Sequence, residues 1–208
     1  MSVAGIVLAA GRGARFGGAD GKLVAPFRGE ALVRHAARTL LGSRARPIVV
    51  VTGFARESVE GALAGLSLSF THNPDHESGM ASSLRAGLMA AGDCAGALIL
   101  PGDMPLVTGE TVDRLIAAFE AAPGCAAVVP FFRGRRGNPA LLGRSLFARA
   151  LALSGDEGAR RILAESEGVI GVEVEDEGVL RDVDRKEDLA EPDGFSPAGS
   201  SERAFSKS

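Results

Sequence analysis

Short apolar runs alternate with longer segments of helical periodicity along most of the chain. The apolar runs predict buried strands at 3–9, 47–52, 66–71, 96–100 and 125–130. Apolar residues at every third or fourth position predict helices at 30–41, 55–63, 81–91, 109–121, 145–153 and 157–165. Thr108 is a suitable N-cap for the helix at 109–121. This alternation predicts a three-layer α/β fold, with a mostly parallel sheet covered by helices on both faces.

Domain organisation follows from length and from a change of composition near the end. A chain of 208 residues is long enough for one α/β domain with a substantial core. We therefore expect a single domain over 1–190. Residues 131–139 depart from the strand–helix alternation and predict an excursion that closes over a second substrate. The segment 191–208 is rich in turn-forming residues, and we expect it to be a disordered tail.

Charge and composition narrow the class of protein. Lys and Arg number 23 against 26 Asp and Glu, a formal charge of −3, which argues against a nucleic-acid partner. Cys94 and Cys125 lack metal-binding or redox spacing and are expected to be small buried residues. The apolar run at 3–9 is too short to cross a membrane and has no basic segment before it. We therefore expect a cytoplasmic protein with no membrane partner.

A glycine-rich, cationic loop follows the first predicted strand. Its glycines, Gly11 and Gly13, let backbone N–H groups approach phosphate oxygens, while Arg12, Arg15 and Lys22 supply positive charge. A dinucleotide fingerprint does not fit, because the third glycine comes one place late and the next strand ends without an acidic residue. A P-loop does not fit either, because no Ser or Thr follows the lysine. The loop therefore predicts a nucleoside triphosphate site.

Asp103 follows another predicted strand, in a turn between Pro101 and Pro105. Ligands of open α/β sheets bind beyond the carboxyl ends of the strands, so this turn and the glycine-rich loop should face one crevice. We assign Asp103 to a divalent metal; the alternative is that it caps the helix at 109–121 or stabilises its own turn. His72 and His76 lack a clear third ligand and are interpreted as turn residues rather than zinc ligands.

Six motifs in order resemble those of one enzyme family. They are Leu8-Ala9-Ala10-Gly11 with Arg15-Phe16-Gly17, Asn73-Pro74 through Gly79-Met80-Ala81-Ser82-Ser83-Leu84, Gly102-Asp103-Met104-Pro105, Arg136-Gly137-Asn138-Pro139, Gly155-Asp156-Glu157-Gly158-Ala159-Arg160, and Asp182-Val183-Asp184 before Glu187-Asp188-Leu189. Over about residues 3–190, the chain resembles the molybdenum cofactor cytidylyltransferases of the MobA-like nucleotidyltransferase family. The resemblance implies a three-layer Rossmann-like nucleotidyltransferase fold.

The resemblance also implies roles for individual residues. Catalysis is expected from Arg15, Lys22 and Asp103, and metal binding from Asp103 and Asp184. Asp184 could also cap a short helix at 185–190, in place of the metal role or together with it. The expected nucleotide-binding residues are Leu8, Ala9, Ala10, Gly11, Arg12, Gly13, Arg15, Lys22, Gly79, Ser82 and Ser83. The expected acceptor-binding residues are Arg136, Asn138, Asp156 and Arg160. Free N–H groups at the start of the helix near 81 are expected to help bind the base or the ribose.

The implied reaction transfers CMP from CTP to the terminal phosphate of molybdopterin, giving the cytosine dinucleotide cofactor and pyrophosphate. Mg²⁺ is the expected cofactor, with Mn²⁺ as a substitute, and an apo-molybdoenzyme of the xanthine dehydrogenase type is a further candidate partner. Ala10 favours cytosine, because guanylyltransferase relatives usually have a second glycine there. The alternatives are a transferase that uses GTP or acts on methylerythritol phosphate or a sugar phosphate, and a non-catalytic carrier of the molybdenum cofactor.

Overall fold

The computed structural model describes residues 2–13, 16 and 21–189. The strands are β1 Val3–Ala9, β2 Pro26–Phe27, β3 Glu30–Ala31, β4 Ile48–Thr52, β5 Ser69–His72, β6 Gly96–Pro101, β7 Ala127–Phe132, β8 Arg135–Arg136, β9 Ala140–Gly143 and β10 Val169–Glu173. The α-helices are α1 Leu32–Gly42, α2 Arg56–Ala62, α3 Met80–Ala91, α4 Gly109–Ala121, α5 Phe147–Leu151 and α6 Ala159–Ala164. The predicted tail, 191–208, lies outside the described residues and stays a prediction.

The main sheet is mixed and mostly parallel. Its strand order is β10-β7-β9-β6-β1-β4-β5, and β8 forms a hairpin with β7. Strands β1, β4, β5 and β6 are parallel, as are β7 and β10, whereas β9 is antiparallel to both β6 and β7. The predicted departure from strand–helix alternation after Pro130 corresponds to the short strands β8 and β9. The sequence pattern did not predict these two strands themselves.

Helices cover both faces of the sheet, so the predicted three-layer architecture is confirmed. Helices α1, α2 and α4 contribute to one hydrophobic core, and α3, α5 and α6 contribute to the other. Strand β1 divides its side chains between them, because Val3 and Val7 belong to the first core and Ala4 and Ile6 to the second. Along the segments that the structure describes, every helix is too short or too polar to span a bilayer.

Two predicted elements need correction, and strands β2, β3, β8, β9 and β10 were not predicted from the apolar pattern. Glu30 and Ala31 were expected to begin a helix, but they form β3, which pairs with β2, and α1 begins at Leu32. The helix predicted at 145–153 is a 3₁₀ turn, Arg144–Leu146, followed by α5. By contrast, α4 begins and ends where predicted, and the Thr108 hydroxyl accepts a hydrogen bond from the Thr111 N–H as its cap.

Candidate active site

The site lies at the carboxyl ends of β1 and β6, the two central parallel strands. Leu8 of β1 is level with Pro101 of β6. Next to this pair, the Gly102 N–H donates a 2.9 Å hydrogen bond to the Leu8 carbonyl. The glycine-rich loop after β1 and the Asp103 turn after β6 therefore face one crevice, as the sequence predicts.

Three charged side chains from distant parts of the chain meet in this crevice. The Lys22 ammonium donates to Asp103 Oδ2 at 2.7 Å and to Asp184 Oδ1 at 3.1 Å. Lys22 is only 8% exposed. Burial alone would lower the pKa of Lys22, but the charges and hydrogen bonds of Asp103 and Asp184 outweigh burial and raise it. Lys22 is therefore a cation that neutralises both carboxylates, and its contact with phosphate stays a prediction.

Backbone hydrogen bonding brings Asp184 to Asp103. The Val183 N–H donates to the Asp103 carbonyl at 2.9 Å, so the two acidic residues lie on adjacent backbone segments. Asp182 lies on the same segment, and partial desolvation of its carboxyl group, followed by the negative charges of Asp184 and Asp103, raises its pKa.

At the 3₁₀ turn Lys186–Leu189, the Asp188 carboxylate accepts two backbone hydrogen bonds. It accepts from the Arg185 N–H at 2.7 Å and the Asp184 N–H at 2.9 Å, and these hydrogen bonds lower the pKa of Asp188. Asp184 instead directs its carboxylate towards Lys22. Two N–H groups at the start of this turn, those of Asp184 and Arg185, thus bond to Asp188, and the role of Asp184 as a helix cap stays a prediction.

The alternative roles of Asp103 as a helix cap or turn stabiliser find no support in its contacts. The N-terminus of α4 is held by Thr108 and by the carboxylate of Asp176, which accepts from the Thr108 N–H at 2.9 Å. Asp103 instead directs its carboxylate to Lys22.

The converging carboxylates suit a hard divalent cation. Asp103 and Asp184 both place an oxygen within 3.1 Å of one point, the Lys22 nitrogen. Across residues 2–13, 16 and 21–189, no group of three or more His, Cys, Asp or Glu residues is arranged to hold a metal ion. The two carboxylates of Asp103 and Asp184 fit Mg²⁺ or Mn²⁺, because these ions bind through one or two carboxylates and take further ligands from water and substrate phosphates.

A cavity of about 500 Å³ extends from this charged cluster over the glycine-rich loop. Among the predicted nucleotide-binding residues, those that line it are Leu8, Ala10, Gly11, Arg12, Gly13, Lys22, Gly79 and Ser83. Ala9 does not, because it alternates to the opposite side of β1 and is fully buried in a core. Arg15 lies outside the described residues, and its catalytic and phosphate-binding roles stay predictions.

Ser82 does not line the cavity, because its hydroxyl is buried and hydrogen-bonded within the protein. It is 4% exposed, donates to the Gly79 carbonyl at 2.8 Å and accepts from Asn73 Nδ2 at 2.8 Å. Asn73 also donates to Ser83 at 3.0 Å, and it is itself 3% exposed. Sequence reasoning missed this role of Asn73, although its presence in the Asn73-Pro74 motif was a signal.

The start of α3 is less available to a ligand than predicted. The Ala81 N–H donates to the Gly155 carbonyl at 3.0 Å and the Ser82 N–H donates to the Gly79 carbonyl at 3.3 Å. Gly79 has a φ of 106°, and a Cβ there would lie 2.3 Å from the Gly155 carbonyl carbon. Glycine at 79 therefore lets the loop at Gly155 and Asp156 seat directly on the start of α3, and these amides bind the protein instead of a base.

A second cavity, of about 340 Å³, adjoins the first. All the predicted acceptor-binding residues, Arg136, Asn138, Asp156 and Arg160, line it. Leu8, Met80, Pro101 and Asp156 line both cavities, so a nucleotide in the first would lie beside a ligand in the second. Sequence reasoning did not assign Met80, His76 or Glu77 to the nucleotide, although the structure places all three in the lining of the nucleotide cavity. Their closeness in sequence to Gly79, which was assigned to the nucleotide, was the signal that could have identified them.

Comparison with known sequences finds a family profile and relatives that match most of the chain. A sequence profile of the MobA-like NTP transferase domain matches residues 5–169. The chain is 32% identical over 193 residues to nicotine blue oxidoreductase of Paenarthrobacter nicotinovorans, covering 90% of this chain and 94% of the relative. It is 32% identical over 195 residues to purine catabolism protein PucB of Bacillus subtilis strain 168, covering 88% and 92%.

Solved structures share the fold. Rv0371c from Mycobacterium tuberculosis H37Rv superimposes with a TM-score of 0.78 and 25% identity, covering 90% of this chain and 95% of that one. A structure of Rv0371c in complex with manganese gives a TM-score of 0.73 at 24% identity, covering 90% and 96%.

Proposed function

Because the chain belongs to the MobA-like NTP transferase family, we propose that it transfers CMP from CTP to the terminal phosphate of a molybdopterin-type cofactor. An oxygen of the acceptor phosphate attacks the α-phosphorus of CTP, the bond from that phosphorus to the bridging oxygen breaks, and pyrophosphate leaves with the electron pair. The products are the cytosine dinucleotide form of the cofactor and pyrophosphate. Such a reaction depends mainly on alignment and on charge neutralisation.

One observation carries the proposal: two adjoining cavities share a wall, and the Lys22–Asp103–Asp184 cluster borders one of them. Lys22 and Asp103 line the larger cavity, which suits a triphosphate because it lies against the glycine-rich loop. The smaller cavity contains Arg136 and Arg160, whose guanidinium groups suit an anionic acceptor. Juxtaposed sites of this kind fit group transfer better than storage of a single ligand.

The metal, Mg²⁺ or Mn²⁺, would be held by Asp103 and Asp184, and when bound it supplies positive charge between phosphate groups. The remaining roles belong to the chain itself. Arg15, with Arg12 and the backbone of Gly11 and Gly13, orients the triphosphate, and Asn138 and the arginines of the smaller cavity orient the acceptor. Lys22 keeps the paired carboxylates from repelling each other until substrate arrives.

Two features favour this proposal over its alternatives. Ala10 lines the nucleotide cavity, and its presence in place of glycine supports CTP over GTP. One relative is named an oxidoreductase, but this chain lacks a feature of dinucleotide sites. Such a site uses an acidic residue after the second parallel strand to bind a ribose, whereas here β4 ends at Thr52 and is followed by Gly53 and Phe54. The apo-molybdoenzyme partner rests on the resemblance alone.

Calorimetric titration tests the nucleotide. CTP, GTP, ATP, UTP and NADPH are each titrated with and without Mg²⁺ or Mn²⁺. Metal-dependent preference for CTP supports the proposal, preference for GTP replaces it with guanylyl transfer, and binding of NADPH alone would favour an oxidoreductase. Cofactor binding without any nucleotide binding would favour the carrier hypothesis.

Pyrophosphate release in the presence of molybdopterin tests the chemistry. We expect Asp103→Asn to reduce turnover at least about a hundredfold, by analogy with losses of key electrostatic groups. Asp113→Asn is the matched control, because Asp113 lies on the surface of α4, outside both cavities, where its carboxylate accepts a hydrogen bond from the Arg44 backbone N–H. Near-normal turnover in Asp103→Asn would overturn the metal assignment.

A further inference from the structure

A single segment, which contains the 3₁₀ turn Glu177–Leu180, contacts both halves of the proposed site. This segment, residues 176–184, is here termed the strap. The Val179 carbonyl accepts a 2.9 Å hydrogen bond from the Asn138 N–H in the acceptor cavity. Four residues later, the Val183 N–H donates to the Asp103 carbonyl at 2.9 Å, and the strap ends at Asp184. The position of the strap therefore sets the acceptor loop and the metal-binding carboxylates together.

The strap begins at a carboxylate with a dense set of hydrogen bonds. Asp176 Oδ2 accepts from the Thr108 N–H at 2.9 Å, from the Thr108 hydroxyl at 2.9 Å and from the Thr111 hydroxyl at 2.7 Å. Its other oxygen, Oδ1, accepts from the Gly178 N–H at 2.9 Å. Asp176 thus ties the strap to the N-terminus of α4, where a negative charge is also favoured by the helix dipole.

Close packing holds the strap at Val179, where a Cβ at Gly137 would lie 2.4 Å from the Val179 carbonyl oxygen, but not along the whole of its length. Val179 and Val183 are buried, at 1% and 4% exposure, but apolar contacts have little directionality. A cavity of about 510 Å³, lined in part by residues 180–183, also borders the strap. By contrast, a Cβ at Gly178 would lie 2.3 Å from the Leu106 carbonyl oxygen, so the chain is tightly seated beside Asp176. Directional hydrogen bonds therefore set the register of the strap, and Asp176 accepts four of them, whereas Val179 and Val183 make one each to the acceptor loop and to Asp103.

We propose that Asp176 is a positioning residue of the transfer site: its carboxylate fixes the register of the strap, and thereby holds Asp184 beside Asp103 and Val179 beside Asn138. This inference rests on the proposed function. Asp176 touches neither cavity and acts through these residues. Outer hydrogen-bond partners of metal ligands commonly change metal affinity or activity by about 10–100-fold when they are replaced.

The test compares Asp176→Asn and Thr111→Val with Asp113→Asn. Asp176 accepts hydrogen bonds at both carboxylate oxygens, whereas asparagine has one acceptor oxygen and an NH₂ group in place of the other. Thr111→Val removes a single donor to Asp176. Asp113 is the control because it lies on the same helix, and its carboxylate accepts a 2.7 Å hydrogen bond from the Arg44 N–H away from the strap. Hydrogen–deuterium exchange reports the amides of Val183 and Asn138, and a titration reports the Mn²⁺ concentration that gives half-maximal activity.

We expect Asp176→Asn to accelerate exchange at both amides and to raise the half-maximal Mn²⁺ concentration about tenfold. Thr111→Val should give a smaller change of the same kind, and Asp113→Asn should change neither measurement. Wild-type exchange and wild-type Mn²⁺ dependence in Asp176→Asn would overturn the inference, even if its melting temperature fell. Absence of nucleotidyl transfer by the wild-type protein would instead overturn the proposed function, while the exchange rates would still decide whether Asp176 holds the strap.

Discussion

Replacing Lys22 by methionine removes the ammonium shared by two carboxylates while keeping most of the side-chain volume. Asp103 and Asp184, which contact that ammonium at 2.7 and 3.1 Å, are then left without it. Loss of one partner of a buried ion pair costs about 3–5 kcal/mol. The side chains of Asp103 and Asp184 are 23% and 43% exposed, so water screens part of the remaining repulsion. We therefore expect a cost of about 2 kcal/mol.

This cost is measurable as a change in melting temperature. For a chain of this length, about 2 kcal/mol corresponds to a decrease of about 4–8 °C. Far-UV circular dichroism is the suitable probe, because the chain has no Trp and no Tyr. The melting curves are recorded in metal-free buffer and again with Mg²⁺. Since a divalent cation can replace the missing charge, Mg²⁺ should raise the melting temperature of Lys22→Met more than that of the wild type.

The pH dependence of this effect has a definite sign. The pKa of Lys22 is raised above 10.5, so its stabilisation is complete below that pH and is lost as pH rises through the raised value. The difference between Lys22→Met and the wild type should therefore be constant near neutral pH and shrink only in strong alkali. Lys186→Met is the control, because Lys186 is an exposed lysine. Equal melting temperatures and equal Mg²⁺ responses of Lys22→Met and the wild type would refute the reasoning.

Three further substitutions probe the surroundings of the site. Gly79→Ala should destabilise the fold by about 1–3 kcal/mol and raise the KM for the acceptor, because its Cβ would displace the loop at Gly155; unchanged acceptor kinetics would contradict this. Asn73→Ala should cost about 1–3 kcal/mol in chemical denaturation, since it leaves buried polar groups of α3 without their partner. Backbone N–H groups lower the pKa of Asp188, so its stabilisation is present above its ordinary pKa of 3.8 and is lost as pH falls through the lowered value. Asp188→Asn should therefore reduce the free energy of unfolding more at pH 7 than in strong acid, and an equal difference at both would contradict it.

Features set by neighbouring residues could be predicted from the sequence. The apolar run at Val3–Ala9 is a strand because its residues can be buried on both faces of a sheet, and the structure places it at the centre. Helix α4 was predicted with its N-cap, since apolar spacing and a hydroxyl before the first turn specify a helix locally. The glycine-rich loop was likewise predicted, because the carboxyl end of a parallel strand fixes where its following loop must lie.

Short segments were less predictable, because their conformation depends on distant partners. Glu30 and Ala31 have acceptable helix propensity, yet pairing with Pro26 and Phe27 makes them a strand. Ser82 looked like a ligand-binding hydroxyl, but whether it faces a cavity or a buried partner depends on Asn73.

The sequence by itself determined the order of the helices and of the strands β1, β4, β5, β6 and β7, the position of the glycine-rich loop, and the placement of Asp103 after a strand, because each of these depends on periodicity or on adjacent residues. Only the tertiary structure decided that the Lys22 ammonium lies between Asp103 and Asp184, which are 81 and 162 positions away along the chain. It also decided that Asp176 anchors the strap that carries Asp184. Contacts at such separations depend on strand pairing and chain packing, which local patterns do not encode.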